Sequence, residues 1–242
     1  MDLSDFLKDI NSDADAPSPV VRGILGYIRA RNLHPGDRLP SERAFAEQLG
    51  VGRNALREGL ATLATLRIIE MRPNSGIYLK PLATESSFEA LVMLAELGST
   101  PTPSEIAETM EVRAALELMA VKLSCMRREE SDLADLREIL AQSEQVLREH
   151  GNIVDVDTAF HLALVSATHN TVLVRVLNAF YRFTSRRRRA LFSGREHAQA
   201  SIDDHKKLFQ AIEARDIDGG QELIRRHMDR ARLYWHQVIG AE

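Results

Sequence analysis

The chain of 242 residues has one cysteine, one tryptophan, only 5% aromatic residues and no apolar run of membrane-spanning length. Each shortage removes a class of protein. A lone thiol, Cys125, cannot build a disulfide framework or a multi-cysteine metal site within one chain, and it reads as a packed apolar residue. Without about 20 consecutive apolar residues, no helix crosses a bilayer. The first residues, MDLSDFLKDINSDADAPSPV, are acidic and lack the basic start of a secretory signal. The expectation is a cytoplasmic protein with no membrane partner. Few aromatics within a 44% hydrophobic composition suit a helical chain, and the length allows one or two domains.

There is also no overall excess of positive charge, since 31 Lys/Arg stand against 35 Asp/Glu and the formal net charge is −4. Its distribution is uneven. Residues 16–82 hold 10 Lys/Arg against 5 Asp/Glu, a local +5, whereas residues 1–15 hold 1 against 5 and residues 83–242 hold 20 against 25. A basic segment joined to an acidic remainder is the pattern expected when one domain alone meets phosphate.

Within the basic segment stands GDRLPSERAFAEQLGVGRNALREGL, Gly36 to Leu60. Ser41 is a good N-cap with Glu42 in the first turn, and Ala44, Phe45 and Leu49 form an apolar stripe at helical spacing. Gly50 closes that helix. A second helix begins near Gly52, turns Leu56 and Leu60 inward and projects Arg53, Asn54 and Arg57 outward. This is a helix-turn-helix pattern. A helix over 20–30 precedes it, carrying Val21, Ile24, Leu25 and Ile28 on one side. Two short strands, 68–71 and 77–80, follow around Arg72-Pro73-Asn74-Ser75-Gly76, so the unit reads as a winged helix.

Residues 1–16 read as a flexible acidic tail, 17–82 as the winged helix-turn-helix domain and 83–242 as an all-helical domain. In the last, helices are expected near 86–97, 104–126, 131–149, 153–168, 170–192, 196–214 and 217–238. The fold class is mainly α: a winged helix-turn-helix with a small β-hairpin wing, then a bundle of six or seven helices. No internal repeat appears. The run Arg186–Arg189 covers a full helical turn and reads as mostly solvated, with ligand, DNA or dimer contacts as the lesser reading.

Three histidines lie on inward stripes of three helices. His161 is in phase with Val154, Val165 and Thr168, His205 with Leu208, Phe209 and Ile212, and His227 with Leu223, Ile224 and Tyr234. Asp157 shares a face with His161, four residues on. Buried imidazoles are costly unless each is paired or ligates a metal. The set is therefore either a group of hydrogen-bonded core histidines or an N/O site for a divalent transition ion. His34, His150, His169, His197 and His236 lack such a carboxylate partner on an apolar face. Arg113, beside Met110, Ala114 and Leu116, needs a carboxylate, supplied by Glu117 one turn later or by a ligand. No nucleophile or oxyanion motif accompanies Asp157 and His161, which argues against an enzyme.

Taken together, GDRLPSERAFAEQLGVGRNALREGLATLATLRIIE, EVRAALE at 111–117, DTAFH at 157–161, His205 before LFQAI and His227 resemble the GntR superfamily of bacterial transcription regulators. The similarity is to its FadR-type branch with the FCD ligand-binding domain. The resemblance implies metal ligation by Asp157, His161, His205 and His227, with zinc foremost and nickel or manganese as alternatives. It implies DNA contacts from Arg43, Arg53 and Arg57, and a wing tip of Asn74, Ser75 and Gly76 reaching the minor groove. Asn54 and Gly52 depart from the hydroxyl residues common at their positions, so the resemblance does not fix the contact of Asn54 or the operator sequence, and at Gly52 a phosphate-binding hydroxyl is missing. The resemblance further implies a homodimer on a palindromic operator, more often a repressor, whose DNA affinity responds to a small carboxylic acid met by Arg113. Two other readings compete: a metal-dependent enzyme with an accessory DNA-binding domain, and an effector-independent dimeric DNA binder.

Overall fold

The computed structural model describes residues 17–81, 85–97 and 102–239, the side chains of 235–239 excepted. The expected acidic tail, 1–16, and the expected boundary between 82 and 83 lie outside the described residues. The chain forms two compact units whose described parts are 17–97 and 102–239. The architecture is mainly helical, with ten helices and one two-stranded sheet among the described residues.

The first unit holds α1 (Pro19–Ala30), α2 (Glu42–Leu49), α3 (Arg53–Thr65), β1 (Ile69–Arg72), β2 (Gly76–Leu79) and α4 (Phe88–Glu96). Ser18 and Ser41 cap α1 and α2 by accepting from Val21 N at 3.3 Å and Ala44 N at 3.4 Å. Gly50 ends α2 at φ 66°, a left-handed conformation that costs glycine little. Ile24, Phe45, Leu56, Leu60 and Leu63 are fully buried and lock the three helices together. The hairpin pairs antiparallel, Ile69 with Leu79 and Arg72 with Gly76, and Leu39 N adds a bond to Ile77 O at 2.8 Å. Ile68 joins the hairpin by one atom only: its carbonyl accepts from Lys80 N at 3.0 Å, while its N–H closes the end of α3 on Leu63 O at 2.9 Å, so β1 begins at Ile69. The sequence reading assigns the segment of α4 to the second domain. Its packing differs: Ala90 and Met93 join the core of the first unit, and Ser87 N bonds Leu66 O at 3.0 Å.

The second unit is a bundle of six helices among the described residues: α5 (Pro103–Arg127), α6 (Glu130–Arg148), α7 (Val154–Ser166), α8 (Thr171–Leu191), α9 (Arg195–Ala214) and α10 (Ile217–Ile239). Thr102 and Glu105 form a capping box at the start of α5, and Asn170 caps α8. The short α7 is apolar on almost every side, with Ala159 through Val165 all buried, so it sits inside the ring of longer helices. Cys125 is fully buried, as its lone occurrence suggests. No helix among the described residues is long and apolar enough to cross a membrane.

Candidate functional site

On the first unit, α3 presents its N-terminal half to solvent. Arg53 and Asn54, the first two residues of α3, are exposed. Gly52 precedes them at the N-cap and supplies no side-chain cap, so the first N–H groups of α3 have no side-chain acceptor there. Such an end favours anions through its free donors and dipole. Arg57 reaches back to Glu42 at 2.7 Å and Arg43 pairs with Glu47 at 3.2 Å. Both pairs are solvent-exposed and hold their arginines weakly. At the hairpin tip Asn74 has φ 57° and Gly76 φ 137°, and a Cβ on Gly76 would meet Arg38 Nε at 2.6 Å. The glycine therefore lets Arg38 pack beneath the tip. Ser75 and Tyr78 share a hydroxyl–hydroxyl bond at 2.8 Å, and Arg72 covers the Tyr78 ring at 4.5 Å. Arg53, Asn54 and Arg57 are exposed on α3, Arg43 is exposed on α2, and at the hairpin tip Asn74 is exposed while Ser75 and Gly76 are half-buried.

In the second unit His161 from α7, His205 from α9 and His227 from α10 converge. One ring nitrogen from each lies within 4.8 Å of the other two, and the rings are 0%, 1% and 8% exposed. Three nitrogens about 2.1 Å from one tetrahedral ion lie roughly 3.4 Å apart, so inward shifts of up to about 0.8 Å each would let one ion meet all three. His205 stacks on Phe160, with centroids 4.1 Å apart. Burial pushes the His205 and His227 imidazoles below their ordinary range, which favours the neutral, ligating form. His161 Nε2 is buried with no hydrogen-bond partner, a costly condition for a ring nitrogen unless it ligates. The donor set fits a divalent transition ion.

The fourth sequence-derived ligand, Asp157, is placed differently. It lies 3.5 Å from His205 Nε2 and accepts from the Ser201 hydroxyl at 2.8 Å, while its other oxygen is taken by the Arg188 guanidinium. Burial alone would raise this carboxyl, but Arg188 and the surrounding histidines hold it far below the ordinary range. Arg113 also leans inward as expected. It donates to Glu117 at 3.4 Å and to the Tyr181 hydroxyl at 2.9 Å. Glu117, itself fully buried, additionally faces His161 Nδ1 at 3.4 Å. Against the burial that would raise it, the Glu117 carboxyl is lowered to about 2 by His161 and Arg113. Asp204 receives His227 Nδ1 at 3.3 Å and an Arg230 nitrogen, orienting the ring from outside the cluster.

A cavity of about 40 Å³ opens beside this cluster, lined by Arg113, Asp157, Arg188, His197, Ser201 and His227 among others. Arg188 is the main departure from the sequence reading, which treated Arg186–Arg189 as solvated. It is 3% exposed. The signal was present: Arg188 is in phase with Leu177, Tyr181, Thr184 and Leu191, all buried on α8. His197, set aside for lack of an i−4 carboxylate, and Ser201 were also missed. They reach the cavity because α9 leads there before it reaches His205.

The comparisons with known proteins agree with this two-part organisation. Residues 19–79 match the model of the gntR family of bacterial regulatory proteins, and residues 108–230 match the FCD domain. The chain is 30% identical to the transcriptional regulator LutR of Bacillus subtilis over 196 residues, covering 77% of this chain and 86% of that protein. It is 26% identical to the Uxu operon regulator of Haemophilus influenzae over 212 residues, covering 86% and 77%. Further relatives are named as transcriptional repressors. Among solved structures the fold is like that of Lar, described as controlling the Listeria monocytogenes agr system, with TM-score 0.65 at 19% identity over 92% of this chain and 97% of that one. With both halves of the molecule matched in order, the chain belongs to the GntR family of bacterial regulatory proteins, carries a C-terminal FCD domain, and is a DNA-binding transcription regulator rather than an enzyme.

Proposed function

We propose that this regulator is a homodimeric repressor on a palindromic operator, and that a small carboxylic acid bound at a metal ion in its bundle sets its operator affinity. The observation that carries the reading is the convergence of His161, His205 and His227, with one buried ring nitrogen of His161 left without a hydrogen-bond partner. Zinc suits three imidazoles best, with nickel or manganese as alternatives. Asp157 completes the ligand set, and the ion offers an open position to a carboxylate or hydroxyl oxygen. Arg113, already in the cavity wall, neutralises the acid.

On the DNA side, Arg43, Arg53, Asn54 and Arg57 read or clamp the major groove, and Asn74, Ser75 and Gly76 enter the minor groove. Val112, Met119 and Met126 recur every seven residues along α5 and stay exposed, as do Val172 and Val176 on the neighbouring α8. That apolar face suits a second copy. Acid binding favours one of two dimer arrangements, with a coupling of about 1–3 kcal/mol between acid and operator.

Metal analysis of the purified protein, followed by thermal denaturation with a panel of small carboxylic acids, tests the reading. About one ion per chain should co-purify, chelation should lower the melting temperature, and at least one acid should raise it in the metal-loaded protein only. A metal-free protein of unchanged stability on zinc addition sinks the proposal.

A further inference from the structure

Asp157 stands between two cationic claims. On one side its Oδ1 faces His205 Nε2 and the histidine cluster. On the other, Arg188 spends one guanidinium nitrogen on Asp157 Oδ2, on Val154 O at 3.1 Å and on Thr158 Oγ1 at 2.9 Å. The second terminal nitrogen of Arg188, Nη1, is buried with no partner at all. The same side chain lines the cavity, and its guanidinium lies over the Tyr181 ring at 4.7 Å. One carboxylate cannot neutralise a divalent ion and a buried guanidinium at once, and a buried cation without an anion is strongly unfavourable.

We propose that Arg188 and the metal ion compete for Asp157, and that Arg188, once it loses that carboxylate, becomes the receptor for the carboxylate of the acid. This rests on the reading of the histidine cluster as a metal site and adds the residue that couples metal to acid. Asp157 would turn from Arg188 toward an ion held by His161, His205 and His227. The guanidinium left behind, whose Nη1 has no hydrogen-bond partner and whose side chain lines the cavity, then takes the incoming anion in a forked pair. Metal and acid therefore bind cooperatively, each tightening the other by the same factor. The cavity is small, about 40 Å³. Acetate and glycolate are small probes that offer a carboxylate alone and a carboxylate with a hydroxyl.

The competition predicts effects of opposite sign, which a merely structural arginine would not produce. Zinc affinity is measured on the full chain by competition with a chromophoric chelator, and acid binding by the melting-temperature shift with acetate and glycolate. In Arg188→Gln the metal no longer contends for Asp157, so zinc should bind at least tenfold tighter than in the wild type. The acid-induced shift should vanish in the same variant. Asp157→Asn removes the contested charge: zinc should bind at least tenfold weaker, and the acid shift should persist without zinc. Folded Arg188→Gln that binds zinc no tighter than the wild type overturns the proposal, as does Asp157→Asn whose acid shift still requires zinc. A zinc-loaded wild type indifferent to both acids removes Arg188 as the receptor. Wild type that binds no zinc fails at the underlying metal reading instead, so the two failures are told apart.

Discussion

The two units of this regulator handle charge in opposite ways. In the first, Arg43, Arg53 and Arg57, the arginines proposed to meet DNA, are exposed, with side-chain exposures of 76% for Arg43 and 64% for Arg57, and the core cluster is apolar. In the second, Arg113, Glu117, Asp157, Arg188, His161, His205 and His227 are all buried, and each of the four charged side chains has an ionic partner. No buried polar or charged side chain among the described residues falls in the first unit. A surface that meets phosphate needs charges that remain hydrated until contact, so its fold can stand on hydrophobic burial alone. A site that senses one small molecule, as proposed for the second unit, needs charges stripped of water and pre-aimed, and its fold must pay in desolvation for holding them.

The sharpest way to test that contrast is to unbalance the interior network. Glu117→Leu leaves Arg113, the Tyr181 hydroxyl and His161 without their shared acceptor, and should cost the second unit about 3–5 kcal/mol. Urea denaturation followed by circular dichroism measures it, with the two units treated as separate transitions. A loss under about 1 kcal/mol would mean that the network carries little of the second unit's stability.

The second test is pH. His205 and His227 lie below their ordinary value of 6.5, and Glu117 lies near 2 against an ordinary 4.5. All three are depressed in the folded state. Their contribution is complete above the ordinary values and is lost as pH falls toward the folded ones. Without added metal, the second unit should begin to weaken below pH 6.5 and weaken further below 4.5, by no more than about 1.4 kcal/mol per pH unit for each proton taken up on unfolding. The first unit has no buried titratable group among the described residues, and its urea midpoint should change less over the same range. Equal acid sensitivity of the two units would break the comparison.

The smallest effect on stability, and a large one on function, belongs to the surface. Arg53→Ala should leave unfolding within about 0.5 kcal/mol of the wild type. Operator affinity should fall by about 1–3 kcal/mol, measured by anisotropy at fixed salt. Unchanged affinity would remove Arg53 from the DNA-reading set.

How much of this was legible in the sequence follows from where each signal lives. The helix-turn-helix was legible because capping, stripe and turn are local: Ser41, Phe45, Gly50 and Leu56 settle their conformations within a few residues. The three histidines were legible because each keeps phase with an apolar stripe on its own helix. Arg188 followed the same rule, yet its neighbours Arg186, Arg187 and Arg189 masked the phase. The packing of α4 was not legible, since Ala90 and Met93 would serve either core equally well.

The sequence by itself determined the elements, the basic character of the first segment, and the candidates His161, His205, His227 and Arg113, because periodicity and capping act over one or two turns. Only the tertiary structure decided that the histidines meet, that Asp157 is held by Arg188, and that Glu117 serves Arg113, Tyr181 and His161 together. Those are relations between helices up to about 70 residues apart in the chain. They are set by how side chains fill the interior, where an unpaired charge costs more than any local propensity can repay.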